Sequence, residues 1–382
     1  MEPHKWLYES GAIEFSALNL ALRPQAYAEF PDFLGRLPGL VSDALPDGWG
    51  LLLMDKLFLK SGRNPATVSP LDRLSFIGER AMGALAFQPS DASPLSGEDL
   101  SLLDMAQAVQ DVIADRDTVA LQKLALVGGS PHGARPKALV QYDEAQQTIS
   151  TRDDAPGSAW LIKFPLQHEH KEVCAIEDVY STVADRCGLG VPKTRFFDIN
   201  RQLAAFGIER FDREQGLRVP VHTFAGALHA NFRLPSLDYQ SILRATLFFT
   251  GDVTQVELAF RRCVFNVVFN NRDDHAKNFS LRMNRALEWK LSPAYDLTFN
   301  AGPGGHHQTS VMGESLHPGR SHLLALAADS GIRKETAVRI IDQALEHAAA
   351  LLGDLREGSV RRATASHIGS VVSKNVVRCM SL

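Results

Sequence analysis

The apolar period of this chain changes once along its length, and that change constrains its architecture most. Lys137 to Tyr142 and Ala159 to Phe164 alternate or run apolar, and Leu203 to Glu209 reads as a further strand. Side chains two apart share one face of a sheet. A helix lies between these runs: Val173, Ile176, Tyr180, Val183 and Cys187 recur at three- and four-residue steps, and Gly188 stops it. From about residue 236 onward the period is mainly helical. Phe260, Cys263, Val264, Val267 and Val268 form one stripe, and Val338, Ile341, Leu345, Ala348 and Leu352 form another. A β-rich part followed by a helical part predicts two lobes with a cleft between them, where ligands are usually held.

The chain has 382 residues, enough for two or three domains. Forty basic residues against 44 acidic ones give a formal charge of −4, which argues against a nucleic-acid coat or a polybasic membrane binder. No apolar run approaches the roughly 18 residues a membrane span needs. The opening Met1-Glu2-Pro3-His4-Lys5-Trp6 shows no signal-peptide pattern. The four cysteines, Cys174, Cys187, Cys263 and Cys379, have no paired spacing. They read as reduced, buried thiols of a cytoplasmic protein. Residues 88–97 and 151–158 are rich in turn formers; the first reads as a domain boundary and the second as a hairpin.

Four segments carry chemistry. Val127 to Lys137 holds three glycines ahead of a strand, so backbone N–H groups could approach an anion with Lys137 beside them. It lacks the ending of a Walker A loop, and an ordinary glycine turn is the competing reading. Trp160-Leu161-Ile162-Lys163-Phe164-Pro165 places a lysine inside an apolar strand, which is costly without a partner. Kinases put such a lysine on nucleotide phosphates and pair it with a helix glutamate; Glu177 is the available one. An edge-strand lysine at the surface is the alternative.

The third segment, Asn270 to Asn278, contains Asp273 and Asn278 at the Asp-to-Asn interval of a protein-kinase catalytic loop. There a carboxylate orients a hydroxyl while an amide oxygen holds a metal. A solvated loop closing a helix is the simpler reading. The fourth, Leu291 to Leu297, follows a predicted hairpin around Asn284-Arg285 that could return Asp296 toward Asn278, as a second oxygen ligand for Mg²⁺. A Gly-rich loop, strand Lys, helix Glu, Asp-x₄-Asn and Asp in that order outweigh the separate simpler readings. His168-Glu169-His170 and His306-His307 have no further ligands at matching spacing and read as solvated loop histidines.

With these residues in view the chain resembles the HipA family of bacterial serine/threonine kinases, the toxins of HipBA toxin–antitoxin modules. The likeness runs through Gly133-Ala134-Arg135-Pro136-Lys137-Ala138, Leu161 to Pro165, Glu209-Arg210-Phe211-Asp212-Arg213, Asp274 to Ser280 and Ser292 to Leu297. Leu37-Pro38-Gly39-Leu40 and Leu45 to Gly50 resemble the family's amino-terminal subdomain. The resemblance implies an α+β, bilobal protein-kinase-like fold, with a mixed α/β amino-terminal lobe and a mostly helical carboxy-terminal lobe. Its parts would be residues 1–95, an ATP-binding part 96–212 and a catalytic lobe 213–382. By the resemblance, the opening strands that family members usually carry before Trp6-Leu7 would be missing, with either a partner supplying them or this lobe reduced.

By the same resemblance, His132, Gly133, Ala134, Arg135, Pro136 and Lys137 would line the ATP phosphates and Lys163 would contact them. Glu209, Arg210 and Phe211 would form the adenine-side hinge. Asp273 would be the catalytic carboxylate, with His275 and Tyr295 in the ATP site and Asn278 and Asp296 on Mg²⁺. Ser130 sits where the family carries a serine that becomes phosphorylated, and the expectation is that autophosphorylation there switches the enzyme off. The partners implied are a HipB-like helix-turn-helix antitoxin, DNA only through it, no membrane, and a protein substrate of the translation machinery such as an aminoacyl-tRNA synthetase. A small-molecule phosphotransferase of related architecture and a non-catalytic co-repressor are the competing functions.

Overall fold

A computed structural model describes residues 13–90, 99–116, 121–128 and 131–381. They fall into two compact units, one drawn from Met1–Asp43, Val179–Val191 and Val221–Leu382, the other from Ala44–Asp178 and Pro192–Pro220.

The second unit contains helices α1 (Gly48–Lys60), α2 (Leu102–Ile113) and α3 (Leu121–Gly128) and strands β1 (Lys137–Asp143), β2 (Thr148–Ser150) and β3 (Ser158–Lys163). Helix α4 (Glu172–Arg186) follows and is divided between the units at Asp178, and β4 (Thr194–Asp198) and β5 (Ala204–Glu209) complete the sheet. The strand order is β2-β1-β3-β5-β4, antiparallel at every join. β1, β3 and β5 stand where the apolar pattern predicts them, while β2 and β4 had no such signal. Residues 151–157 do not form a hairpin, however. The hairpin joins β1 to β2, and the 151–157 segment carries the chain past β1 to its other edge. β1 can serve both neighbours because successive residues of a strand direct their N–H and C=O groups to opposite edges.

One face of this sheet makes the core. Ala138, Val140, Trp160, Ile162 and Phe164 pack with Trp49 and Leu53 of α1, Met105 and Val109 of α2, and Leu121 and Leu124 of α3. Helix α2 begins at a reciprocal cap: Asp104 N–H donates to Ser101 Oγ at 3.2 Å, and Ser101 N–H to the Asp104 carboxylate at 3.1 Å. Such a cap satisfies two of the otherwise unpaired amides of a helix start.

The first unit is largely helical, with a small sheet. Its elements include β6 (Val221–Thr223), α5 (Tyr239–Thr250), α6 (Val253–Val268), the hairpin strands β7 (Ser280–Met283) and β8 (Trp289–Leu291), α7 (Lys334–Glu357) and α8 (Arg362–Met380). β7 pairs with β8 on one side and β6 on the other. The stripe on α6 is buried as its period predicts. On α7, which packs against α6 and α8, Ile341, Leu345 and Ala348 are buried while Val338 and Leu352 fall on the half-buried flank. A helix with several neighbours buries a broader and rotated stripe, here extended to Ala337, Ile340, Ala344, Leu351 and Leu355.

All four cysteines are buried and none is in a disulfide. Burial pushes the Cys174 and Cys187 thiols up to about 12 and Cys379 to about 11. Since the thiolate is the reactive form, iodoacetamide at pH 8 should add no mass to the native chain and four adducts after denaturation. A native adduct would place a thiolate at the surface. Among the described residues no helix is long and apolar enough to cross a membrane.

Candidate active site

In the second unit the β1–β3 register sets Lys137 directly opposite Lys163, and the β3–β5 register sets Lys163 opposite Phe206. Both lysines are buried, at 3% and 6% exposure. Two like charges facing each other across a sheet are unfavourable on their own. Each is answered differently: Lys163 Nζ donates to the Glu177 carboxylate on α4, while Lys137 Nζ donates to the carbonyl of His132 in the loop before β1. Arg135, in that same loop, reaches Glu169 at 3.0 Å and Glu177 at 3.6 Å. The ensemble is three cations against two carboxylates, with two lysine amines on one sheet face. This fits a polyanion such as a nucleotide triphosphate tail. Glu169 has no distinguishing signal in the sequence, because it lies in the loop after β3 and meets Arg135 only through the fold.

The Glu209–Asp212 segment leaves the sheet at the end of β5. Glu209 N–H donates to the Lys193 carbonyl at 2.9 Å and Arg210 N–H to Ala159 at 2.8 Å, so these two amides are committed to the sheet. The Arg210 guanidinium grips Asp212 through Nε and Nη2, both at 2.8 Å. Asp212 also accepts from Arg213 at 2.9 Å and from Gly83 N–H at 2.7 Å. Burial alone would raise the Asp212 carboxyl, but Arg210 and Arg213 outweigh it and hold it at about 2. An unfolded aspartate titrates near about 3.9. The stability this site contributes is therefore complete above that value and is lost as pH falls through about 2. Thermal midpoints should fall between about pH 4.5 and 2, and Asp212→Asn should flatten that part of the profile.

In the first unit α6 runs into the Asn270–Asn278 segment. Asn270 adopts a left-handed conformation (φ +57°), and its side chain bonds the Asn300 carbonyl at 3.0 Å and accepts from Arg272 at 3.0 Å. The two neighbouring aspartates then part company. Asp274 is 1% exposed and accepts from Tyr239 Oη (2.9 Å), His307 Nδ1 (2.9 Å), Gln308 N–H (2.8 Å) and Thr309 N–H (3.3 Å). Asn266 on α6 extends the chain, donating to Tyr239 Oη at 2.9 Å. Burial, then the charge of Asp274, raises the Tyr239 phenol far above its ordinary value, so it stays protonated and donates.

Asp273, by contrast, has 42% of its side chain exposed, with Gln308 Nε2 donating to it at 2.6 Å and the His275 ring lying nearby, its Nε2 3.9 Å from the carboxylate without a hydrogen bond. His275 Nδ1 accepts from Lys277 N–H at 3.2 Å, which leaves Nε2 as the ring nitrogen that faces Asp273. His307 is not the solvated loop histidine its neighbourhood suggests. It is 2% exposed and tied to Asp274, whereas His306 bonds Ser315 at the surface.

Asn278 Nδ2 donates to the backbone carbonyl of Asp273, which turns the amide so that its oxygen is the remaining acceptor. The hairpin β7–β8 returns the chain, and Tyr295 Oη donates to the Lys277 carbonyl at 2.6 Å. The residues just before Asp296 and Asn278 are thereby fastened together. Arg262 on α6, fully buried, donates to the Ser292 carbonyl of the same return segment. Asp296 itself is left-handed (φ +59°), a conformation that costs a non-glycine residue and recurs at functional sites. Among the described residues no three His, Cys, Asp or Glu side chains gather into a metal cage. An amide oxygen with one carboxylate fits Mg²⁺, which takes one or two protein oxygens and completes its shell from phosphates and water. Ser130 lies outside the described residues.

These matches define a class first. Residues 3–88 match the HipA N-terminal domain and residues 129–352 the HipA-like C-terminal domain, in that order along one chain. The chain belongs to the HipA family. The protein described as "Putative kinase Y4dM" of Sinorhizobium fredii (strain NBRC 101917 / NGR234) is 25% identical over 275 residues, 68% of this chain. That stretch is 62% of the relative, so the chain spans less than two thirds of its length. The solved complex of the Shewanella oneidensis MR-1 toxin–antitoxin system HipA, HipB and its operator DNA gives a TM-score of 0.68 at 16% identity. It covers 91% of this chain and 86% of that one, a likeness of fold.

Proposed function

We propose that this chain is an ATP-dependent protein serine/threonine kinase of the HipA type. The buried Lys163–Glu177 pair, set opposite Lys137 in the sheet, carries the reading, because a lysine held by a helix glutamate on a sheet face serves a nucleotide phosphate. In this reading residues 1–95 and 96–212 act as the amino-terminal lobe and residues 213–382 as the catalytic lobe of a bilobal kinase. Lys163, with Lys137 and the His132–Pro136 loop, holds the phosphates, and Glu177 orients Lys163. Glu209, Arg210 and Phe211 border the adenine. His275 and Tyr295 border the nucleotide beside Asp273.

Asp273 accepts the hydroxyl proton as the serine or threonine oxygen bonds to the γ-phosphorus, and the bond from that phosphorus to the ADP oxygen breaks. Asn278 and Asp296 would hold Mg²⁺, which when bound neutralises charge on the phosphates. A phosphate on Ser130 brings about −1.5 to −2 charge into a loop that receives another phosphate, and so acts as an off-switch. The setting this implies is the cytoplasm. The partner is a helix-turn-helix antitoxin through which DNA is reached, and the substrate is a component of the translation machinery.

The test is intact-mass spectrometry with site mapping after incubation of unmodified protein with Mg²⁺ and ATP. One phosphate on Ser130, and Ser130→Ala losing its self-limitation, is the expected result. No phosphate on the chain or on added protein substrates, despite ATP binding, would point to a small-molecule phosphotransferase. No ATP binding at all would point to a co-repressor.

A further inference from the structure

We infer that the Leu45–Trp49 turn is the template that shapes the phosphate-facing loop, with Asp47 and Trp49 as positioning residues for nucleotide binding. This rests on the ATP-binding reading above. Four contacts between turn and loop run to backbone groups. The buried Asp47 carboxylate accepts from Gly133 N–H, Trp49 N–H donates to the Gly133 carbonyl at 3.1 Å, and the His132 ring bonds the Leu45 carbonyl at 3.1 Å. Trp49 Nε1 then donates to the Lys137 carbonyl at 3.2 Å, where the loop enters β1. Gly48 lies left-handed (φ +43°), and a Cβ there would sit 2.5 Å from the Gly133 carbonyl oxygen and 2.8 Å from Ala134 Cα. Only glycine lets the turn lie this close.

The consequence concerns which loop groups can meet a phosphate. Gly133 N–H points into the turn, so its role is to lock the loop rather than to cradle the ligand. Gly133 is itself left-handed (φ +102°), and the Lys137 amine packs against its Cα, where a Cβ would come within 2.5 Å. The turn thus holds the loop from one side and the β1 lysine holds it from the other. A loop fixed in shape before binding loses less freedom when the phosphate arrives.

The experiment compares dissociation constants for ATP and for adenosine on the full chain, for wild type, Asp47→Ala and Asp47→Asn. Asp47→Ala should weaken ATP by about tenfold and leave adenosine within about twofold, since only the phosphate grip depends on the loop. Asp47→Asn keeps an acceptor oxygen in place and should stay within about threefold of wild type for ATP. Equal loss for ATP and adenosine would mean a folding defect and overturn the inference, as would unchanged ATP affinity. Tighter ATP binding by both variants would also overturn it, because Asp47 would then be a carboxylate that repels phosphate. A variant-free measurement stands beside these: exchange of the Gly133 amide, which donates to Asp47, should be slowed in the nucleotide-free wild type, and a free-peptide rate there would sink the idea. Wild type that binds ATP no better than adenosine would instead refute the ATP reading itself.

Discussion

Asp273→Asn should leave the chain as stable as wild type and still able to bind ATP, while phosphoryl transfer falls by roughly 10²–10⁴-fold. Asp273 has 42% of its side chain exposed, and the Gln308 amide donates to it at 2.6 Å. An asparagine can keep a hydrogen bond there by presenting its oxygen to Gln308, so the fold loses little. What it cannot do is take the hydroxyl proton or orient the attacking oxygen by charge. A thermal midpoint within a degree or two of wild type, an unchanged ATP dissociation constant and a collapsed transfer rate would together place this residue in the chemistry. Transfer at the wild-type rate would remove it.

Asp274→Ala should fail in the opposite way, by unfolding. Four donors converge on that carboxylate, from α5, from His307 and from the backbone of Gln308 and Thr309. Removing it strands these donors in a site that water does not reach, at a cost of about 3–5 kcal/mol. Urea denaturation should show that loss as a lower midpoint with little change in slope. A variant as stable as wild type but inactive would exchange the roles assigned to the two neighbours. Asp274 shapes the segment from which Asp273 projects, since Thr309 Oγ1 and the Gln308 side chain hold its backbone and its neighbour's carboxylate.

The strand lysine and helix glutamate were legible because each lies on a face set by local period. Alternation put Lys163 opposite Ile162, and the helical stripe put Glu177 beside Ile176 and Tyr180. Their pairing spans only 14 positions and one turn of chain. The Asp-x₄-Asn interval marked Asp273 in the same local way, whereas the burial of its neighbour Asp274 had no local signal. Nothing local marked His307, which sits 33 positions from the carboxylate it bonds and reads as a loop residue until the short parallel pairing of Thr309 and Ser310 with Leu237 and Asp238 brings it inward. The hairpin misreading of residues 151–157 has the same origin: turn composition announces that the chain reverses, but which strand it then joins depends on sheet order.

By itself, then, the sequence determined the positions of β1, β3, β5, the β7–β8 hairpin and the stripe-bearing helices α4 and α6, and the spacing of Lys163, Glu177, Asp273, Asn278 and Asp296, because steric alternation and helical pitch act over a few residues. The tertiary structure alone decided that Lys137 faces Lys163, that Asp274 is buried while Asp273 is not, and that Asp47 grips a loop 86 positions away. Those outcomes depend on register and on which buried polar groups find partners, and both are settled only when distant segments are desolvated together.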